Sequence, residues 1–89
     1  MNNLKEWDRA RERWDELMEE PVTLAHVQEC VGLVKTMGEV CKDYEIAHAW
    51  EDNLREGVLM AVVNDEPEAK EMAIEALKTS SFQFARWCA

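Results

Sequence analysis

Residues that break helices are scarce in this chain, since its 89 residues include only 3 glycines and 2 prolines. Sheets built from short strands need frequent turns, so this scarcity favours a few long helices. No apolar run approaches the ~18 residues of a membrane span, and the first residues lack the apolar stretch of a signal peptide. We therefore expect one helical, cytosolic domain over residues 1–89.

Basic residues are also few: 10 stand against 19 acidic residues, and the net charge is −9. A chain this acidic is repelled by nucleic acid and by anionic membranes. It suits a protein partner with a basic surface, including a protein whose own ligand is nucleic acid. The simpler alternative is that the charge only keeps a small domain soluble.

Motifs for catalysis are lacking as well. The glycines at 32, 38 and 57 are isolated, which excludes a phosphate-binding loop. The cysteines Cys30, Cys41 and Cys88 form no close pair, so we expect reduced thiols. Cys41 and His48 could approach each other across a turn, but a catalytic cysteine needs a cationic setting and this region is acidic. We predict no enzyme, no catalytic residue and no cofactor.

The spacing of apolar residues predicts an all-α fold. Three main helices are expected over about 4–19, 23–41 and 43–65, with Thr23 and Asp43 as N-caps. A short fourth helix is expected from Pro67 to about residue 78. The remaining segment, 82–89, contains three aromatic residues, which is unusual for a disordered tail. We predict that this tail packs against a small helical bundle.

The cluster that most suggests chemistry is His48, Glu51 and Asp52, because residues three and four apart share a helical face. Such a set could chelate a metal or form an acid–base pair. It lacks a further ligand, and the only other histidine, His26, is expected toward the opposite end of the bundle. We therefore predict no metal site, with a small metal-dependent or acid–base enzyme as the alternative.

Two surfaces are candidates for partner binding. The third predicted helix carries four acids that point away from its apolar stripe, namely Glu45, Glu51, Asp52 and Glu56. The competing surface is an aromatic strip on the first helix, formed by Trp7, Arg11 and Trp14. Tryptophan and arginine are typical of interface hot spots, but tryptophans at stripe positions are also typical of a core. The strip would favour a homodimeric structural or regulatory subunit.

Parts of the second half of the chain resemble a loose group of small proteins encoded by tailed bacteriophages and prophages. The resemblance consists of an Ala-His-x-x-Glu-Asp-x-Leu-x-x-x-Val-Leu segment, a short helix rich in leucine and alanine, and an ending like Phe-x-Arg-Trp-Cys. The matching residues are Ala47, His48, Glu51, Asp52, Leu54, Val58, Leu59, Ala76, Leu77, Phe84, Arg86, Trp87 and Cys88. The resemblance implies a phage-derived accessory protein that binds a host or phage protein, for example as an inhibitor of a host defence system such as CRISPR.

Overall fold

The computed structural model describes residues 4–86, which form helices and no strand. Helix α1 spans Leu4–Leu17, α2 spans Leu24–Lys35, α3 spans Tyr44–Val63 and α4 spans Ala69–Leu77. A π-helical turn, Thr36–Val40, follows α2, and a 3-10 turn, Lys78–Ser81, follows α4. The predicted all-helical class is confirmed. Within the described residues, no helix is both long enough and apolar enough to cross a bilayer.

The helix starts follow local capping chemistry. The Thr23 hydroxyl accepts a hydrogen bond from the backbone N–H of His26 at 3.1 Å, and Asp43 accepts one from Ile46 at 3.2 Å. Both caps agree with the prediction, because a short polar side chain satisfies an otherwise unpaired N–H. The fourth helix begins at Ala69, two residues beyond Pro67, since the chain first makes a turn over residues 66–69.

The second predicted helix is not a uniform α-helix up to Cys41. Its end widens into the π-helical turn, where the N–H of Cys41 donates to the carbonyl of Thr36 at 2.9 Å. Gly38 lies in this turn, and a Cβ atom built on it would overlap the ring of Phe84. The neighbour that leaves no room for a side chain at residue 38 is therefore a phenylalanine from the C-terminal segment.

The core is built where α1, α2 and α3 meet, and α4 packs against α2 and α3. At its centre the rings of Trp14 and Trp50 stack in parallel with centroids 4.3 Å apart. Phe82 and Phe84 are partly buried and pack against this core. The buried apolar residues are Ala10, Trp14, Leu17, Val27, Cys30, Val31, Val34, Met37, Ala47, Trp50, Leu54, Val58, Ala61, Met72 and Ala76.

Candidate protein-interaction surface

Three of the four acids predicted on the third helix lie on one exposed face of α3. Glu45, Asp52 and Glu56 are exposed, and their spacing of seven and four residues places them on the same side. His48 lies between them, with its Nε2 atom 3.6 Å from Oδ1 of Asp52. We call Glu45, Asp52 and Glu56 the acidic stripe of α3.

Glu51 is not part of this surface. Only 1% of its area is exposed, so the prediction that it points away from the apolar side of the helix is wrong. It directly follows the buried Trp50 and comes four residues after the buried Ala47, which turns it toward the interior. A buried carboxylate is costly unless it is paired, so its partners decide its position.

Two arginines pair with the Glu51 carboxylate. Arg86 donates from Nε to Oε1 at 2.9 Å and from Nη2 to Oε2 at 3.3 Å. Arg55 donates to Oε2 at 3.4 Å, because residues four apart lie on the same side of a helix. Burial opposes ionisation of Glu51, but the hydrogen bonds from Arg86 and the charge of Arg55 hold its pKa below the ordinary value. Glu51 is therefore an internal ionic anchor.

Arg86 connects this anchor to the end of the described chain. Its guanidinium also donates to the backbone carbonyls of Thr79 at 2.6 Å, Phe82 at 3.3 Å and Phe84 at 3.2 Å, and it lies 3.9 Å from the Phe84 ring centroid. Sequence reasoning missed this role because Arg86 is 35 residues from Glu51, so no helical spacing relates the two. The predicted packing of Trp87 and Cys88 lies outside the described residues.

The aromatic strip predicted on the first helix is divided between the core and the surface. Trp14 is only 3% exposed because it stacks on Trp50, so the hypothesis that it forms a contact surface is wrong. Trp7 is half-buried and donates from Nε1 to Asp43 at 2.8 Å. Arg11 is exposed and lies 5.0 Å from the Trp7 ring centroid. The strip therefore stabilises the junction of α1 with the start of α3.

A shallow apolar groove runs between α3 and α4, and sequence reasoning did not anticipate it. Its two walls leave Leu59 64% exposed and Leu77 65% exposed. Leu59 follows Glu56 by three residues, so the groove continues the face that carries the acidic stripe. We call the set lining it the α3–α4 groove: Arg55, Val58, Leu59, Ala73, Ala76 and Leu77. Most of its apolar lining was predicted to face the core, and only Leu59 lies outside the predicted apolar stripes.

A second cavity lies beside α2, and its walls include His26, Cys30, Leu54 and Gly57. Its volume of about 110 Å³ is well below the ~300 Å³ at which small-molecule sites begin. His26 is buried, and its Nδ1 atom has no hydrogen-bond partner among the described residues. Burial lowers the pKa of His26, which favours the neutral imidazole.

The thiols and the metal-binding residue types do not assemble into a reactive site within residues 4–86. Burial raises the pKa of Cys30 to about 12, and burial with the nearby Glu6 and Asp43 raises that of Cys41. Both are therefore protonated thiols at neutral pH, unlike an activated nucleophile. In this part of the chain no three His, Cys, Asp or Glu side chains converge as a metal site would require.

Comparisons with protein-family models, curated proteins and solved structures give no match for this chain.

Proposed function

We propose that this protein is a non-catalytic binding protein that acts on a host or phage protein in the bacterial cytoplasm. The observation that carries the proposal is the acidic stripe of α3, where Glu45, Asp52 and Glu56 share one exposed face. Between residues 44 and 65 the chain has five acids and one base. An acidic face of this kind favours a partner with a basic contact surface and accelerates their encounter.

The resemblance to phage-encoded proteins supports a role against host defence, such as inhibition of a defence complex that binds nucleic acid. A nucleic-acid-binding protein presents a basic surface, which is complementary to this stripe. We also infer that the segment from residue 82 onward closes one end of the helical bundle. The partial burial of Phe82 and Phe84 and the Arg86–Glu51 ion pair support that inference.

The test is affinity capture from a bacterial lysate with the tagged full chain, followed by mass spectrometry. The proposal expects enrichment of one protein or complex, with association that slows as salt is added. The double charge reversal Asp52→Lys/Glu56→Lys should weaken capture, since both side chains lie on the stripe.

A matched control is the double reversal Asp8→Lys/Glu12→Lys on α1. It changes the net charge equally, at the same spacing of four, and both side chains are exposed. Capture should persist in this control. Equal loss in both variants would show that only net charge matters. Turnover of a small molecule by the isolated chain, abolished by Asp52→Asn at unchanged stability, would favour the enzymatic alternative instead.

A further inference from the structure

The α3–α4 groove leaves large apolar side chains in contact with solvent. Of the nine large hydrophobic residues that are strongly exposed in the described chain, six lie on α3 or α4. Two of the six, Leu59 and Leu77, line the groove, and exposed apolar side chains that share a groove are typical of a binding surface. These six residues are Leu59, Met60, Val62, Val63, Ile74 and Leu77.

The groove has the dimensions of a site for side chains that project from a helix. Its volume is about 280 Å³, and its lining combines the small residues Ala73 and Ala76 with the exposed Leu59 and Leu77. Small lining residues allow another backbone to approach closely. A groove between two helices is a common receptor for the apolar face of a third helix.

The charged residues near the groove favour one kind of binding partner over another. Asp52 and Glu56 precede Leu59 on the same face of α3, and Arg55, the base among the lining residues, is paired with Glu51. Over residues 44–78 the chain carries nine acids against three bases. A second copy would bring two acidic rims together, which opposes self-association. A basic occupant would be attracted by the same rims.

We propose that the α3–α4 groove binds an amphipathic helix of the partner, with an apolar stripe in the groove and basic residues against the acidic stripe of α3. This inference rests on the proposed function and specifies the partner's contact element. Leu59 and Leu77 would contact the apolar stripe, and Asp52 and Glu56 would face the basic residues. Affinity would then depend on the groove, while the rate of association would depend on the acids.

The probe is a fluorescein-labelled peptide of leucine and lysine, about 18 residues or five helical turns long. Its leucines follow helical spacing and form one apolar face. A second peptide has the same composition in an order that gives no such face. Fluorescence anisotropy with the full chain should show at least about tenfold tighter binding of the first peptide, the factor expected from burying one leucine.

Substitutions then separate the groove from the acidic stripe. Leu59→Gln and Leu77→Gln should each weaken binding of the amphipathic peptide about tenfold. Ile74→Gln is the matched control, because Ile74 is an exposed residue of α4 that does not line the groove. It should leave binding within about twofold, as for a residue outside the contact. Each variant is compared with the parent chain by circular dichroism, so that loss of fold is distinguished from loss of contact.

Several outcomes would contradict the proposal that the α3–α4 groove is the contact surface. If both peptides bind equally, and only Asp52→Lys/Glu56→Lys weakens them, the acidic stripe of the proposed function stands and the groove does not. If neither peptide binds, the proposal of a helix in the groove is overturned, while the proposed function is still decided by capture from the lysate. If Ile74→Gln weakens binding as much as Leu77→Gln, the groove is not the contact. A dimer of the 10.3 kDa chain that Leu59→Gln dissociates would make a second copy the occupant.

Discussion

The two halves of α3 belong to the same helix but have different surroundings. In the first half, Trp50 stacks on Trp14 and Glu51 is enclosed by arginines. In the second half, Val58 and Ala61 are buried, but Leu59 and Val63 remain largely exposed. The first half of α3 is thus fixed by contacts with other segments, whereas the second half leaves large apolar side chains exposed to solvent.

The buried residues of the first half maintain the fold, whereas the exposed residues of both halves are available to a partner. Substitutions of Trp50 and Glu51 should change stability, because they remove buried contacts. Substitutions of exposed residues should change stability little.

The aromatic stack should contribute most. Trp14→Ala removes a buried ring from its contact with Trp50, and such losses cost about 3–5 kcal/mol. Urea denaturation should show this decrease in the free energy of unfolding. Leu59→Ala in the second half should stay within about 0.5 kcal/mol. Equal losses for the two variants would remove the distinction between the halves.

Loss of the buried Glu51 ion pair should have the second-largest effect on stability. Glu51→Gln leaves Arg86 and Arg55 without their charged acceptor, and breaking a buried pair costs about 3 kcal/mol or more. The adjacent Asp52→Asn is the matched control and should cost less than about 1 kcal/mol, since Asp52 is exposed. A thermal melt of both variants checks the contrast. If the two substitutions were equivalent, the Glu51 anchor would have no special role.

The same pair makes a prediction about pH. The folded-state pKa of Glu51 lies below its ordinary value of about 4.5, so its contribution is present above that value and is lost as pH falls through the folded-state pKa. Stability measured below pH 4.5 should therefore fall less in Glu51→Gln than in the parent chain. Parallel curves for the two proteins would contradict the assignment.

Alanine substitutions at two glycines test how closely Phe84 packs against the π-helical turn. Gly38→Ala places a methyl group where Phe84 lies and should destabilise the chain by about 1–3 kcal/mol. Gly32→Ala meets no atom within 4 Å, so the higher helix propensity of alanine should stabilise α2 by up to about 1 kcal/mol. Chemical denaturation should show that the free energy of unfolding falls in Gly38→Ala and rises in Gly32→Ala. A neutral Gly38→Ala would mean that Phe84 moves aside without loss.

The smallest effect concerns His26, which lines the cavity beside Leu54 near the middle of α3. Its pKa is lowered from 6.5 by burial, so the folded state binds this proton less readily than the unfolded state. Stability should begin to decline as pH falls below 6.5, and His26→Gln should flatten that slope. Denaturation midpoints across this range check the prediction. If His26→Gln left the dependence of stability on pH unchanged, other titrating groups would be responsible for the decline.

Much of the fold follows from local patterns in the sequence. The apolar spacing predicted the helices, and the capping residues Thr23 and Asp43 predicted two of their starts because capping acts over three residues. The burial of Trp14 likewise agrees with its position on an apolar stripe. The exposure of Glu45 and Asp52 could also be predicted, since both lie off the apolar stripe.

The candidate site was only partly predictable. Its position four residues after Ala47 places Glu51 beside the apolar stripe, whereas Asp52 lies off it, but spacing does not predict that a carboxylate there is buried. Arg86, which approaches from a distant segment, makes burial of Glu51 favourable. The α3–α4 groove likewise requires two helices to be placed side by side before its walls exist.

The sequence by itself therefore determined the helical class, the acidity and most of the apolar stripes, since these depend on composition and on neighbours a few residues apart. Only the tertiary structure decided that Glu51 is a buried ion-pair partner, that Trp14 stacks on Trp50 and that Leu59 stays exposed. Each of those outcomes depends on contacts between segments far apart in the chain. Such contacts are set by packing geometry and by the cost of burying charge, which no local spacing encodes.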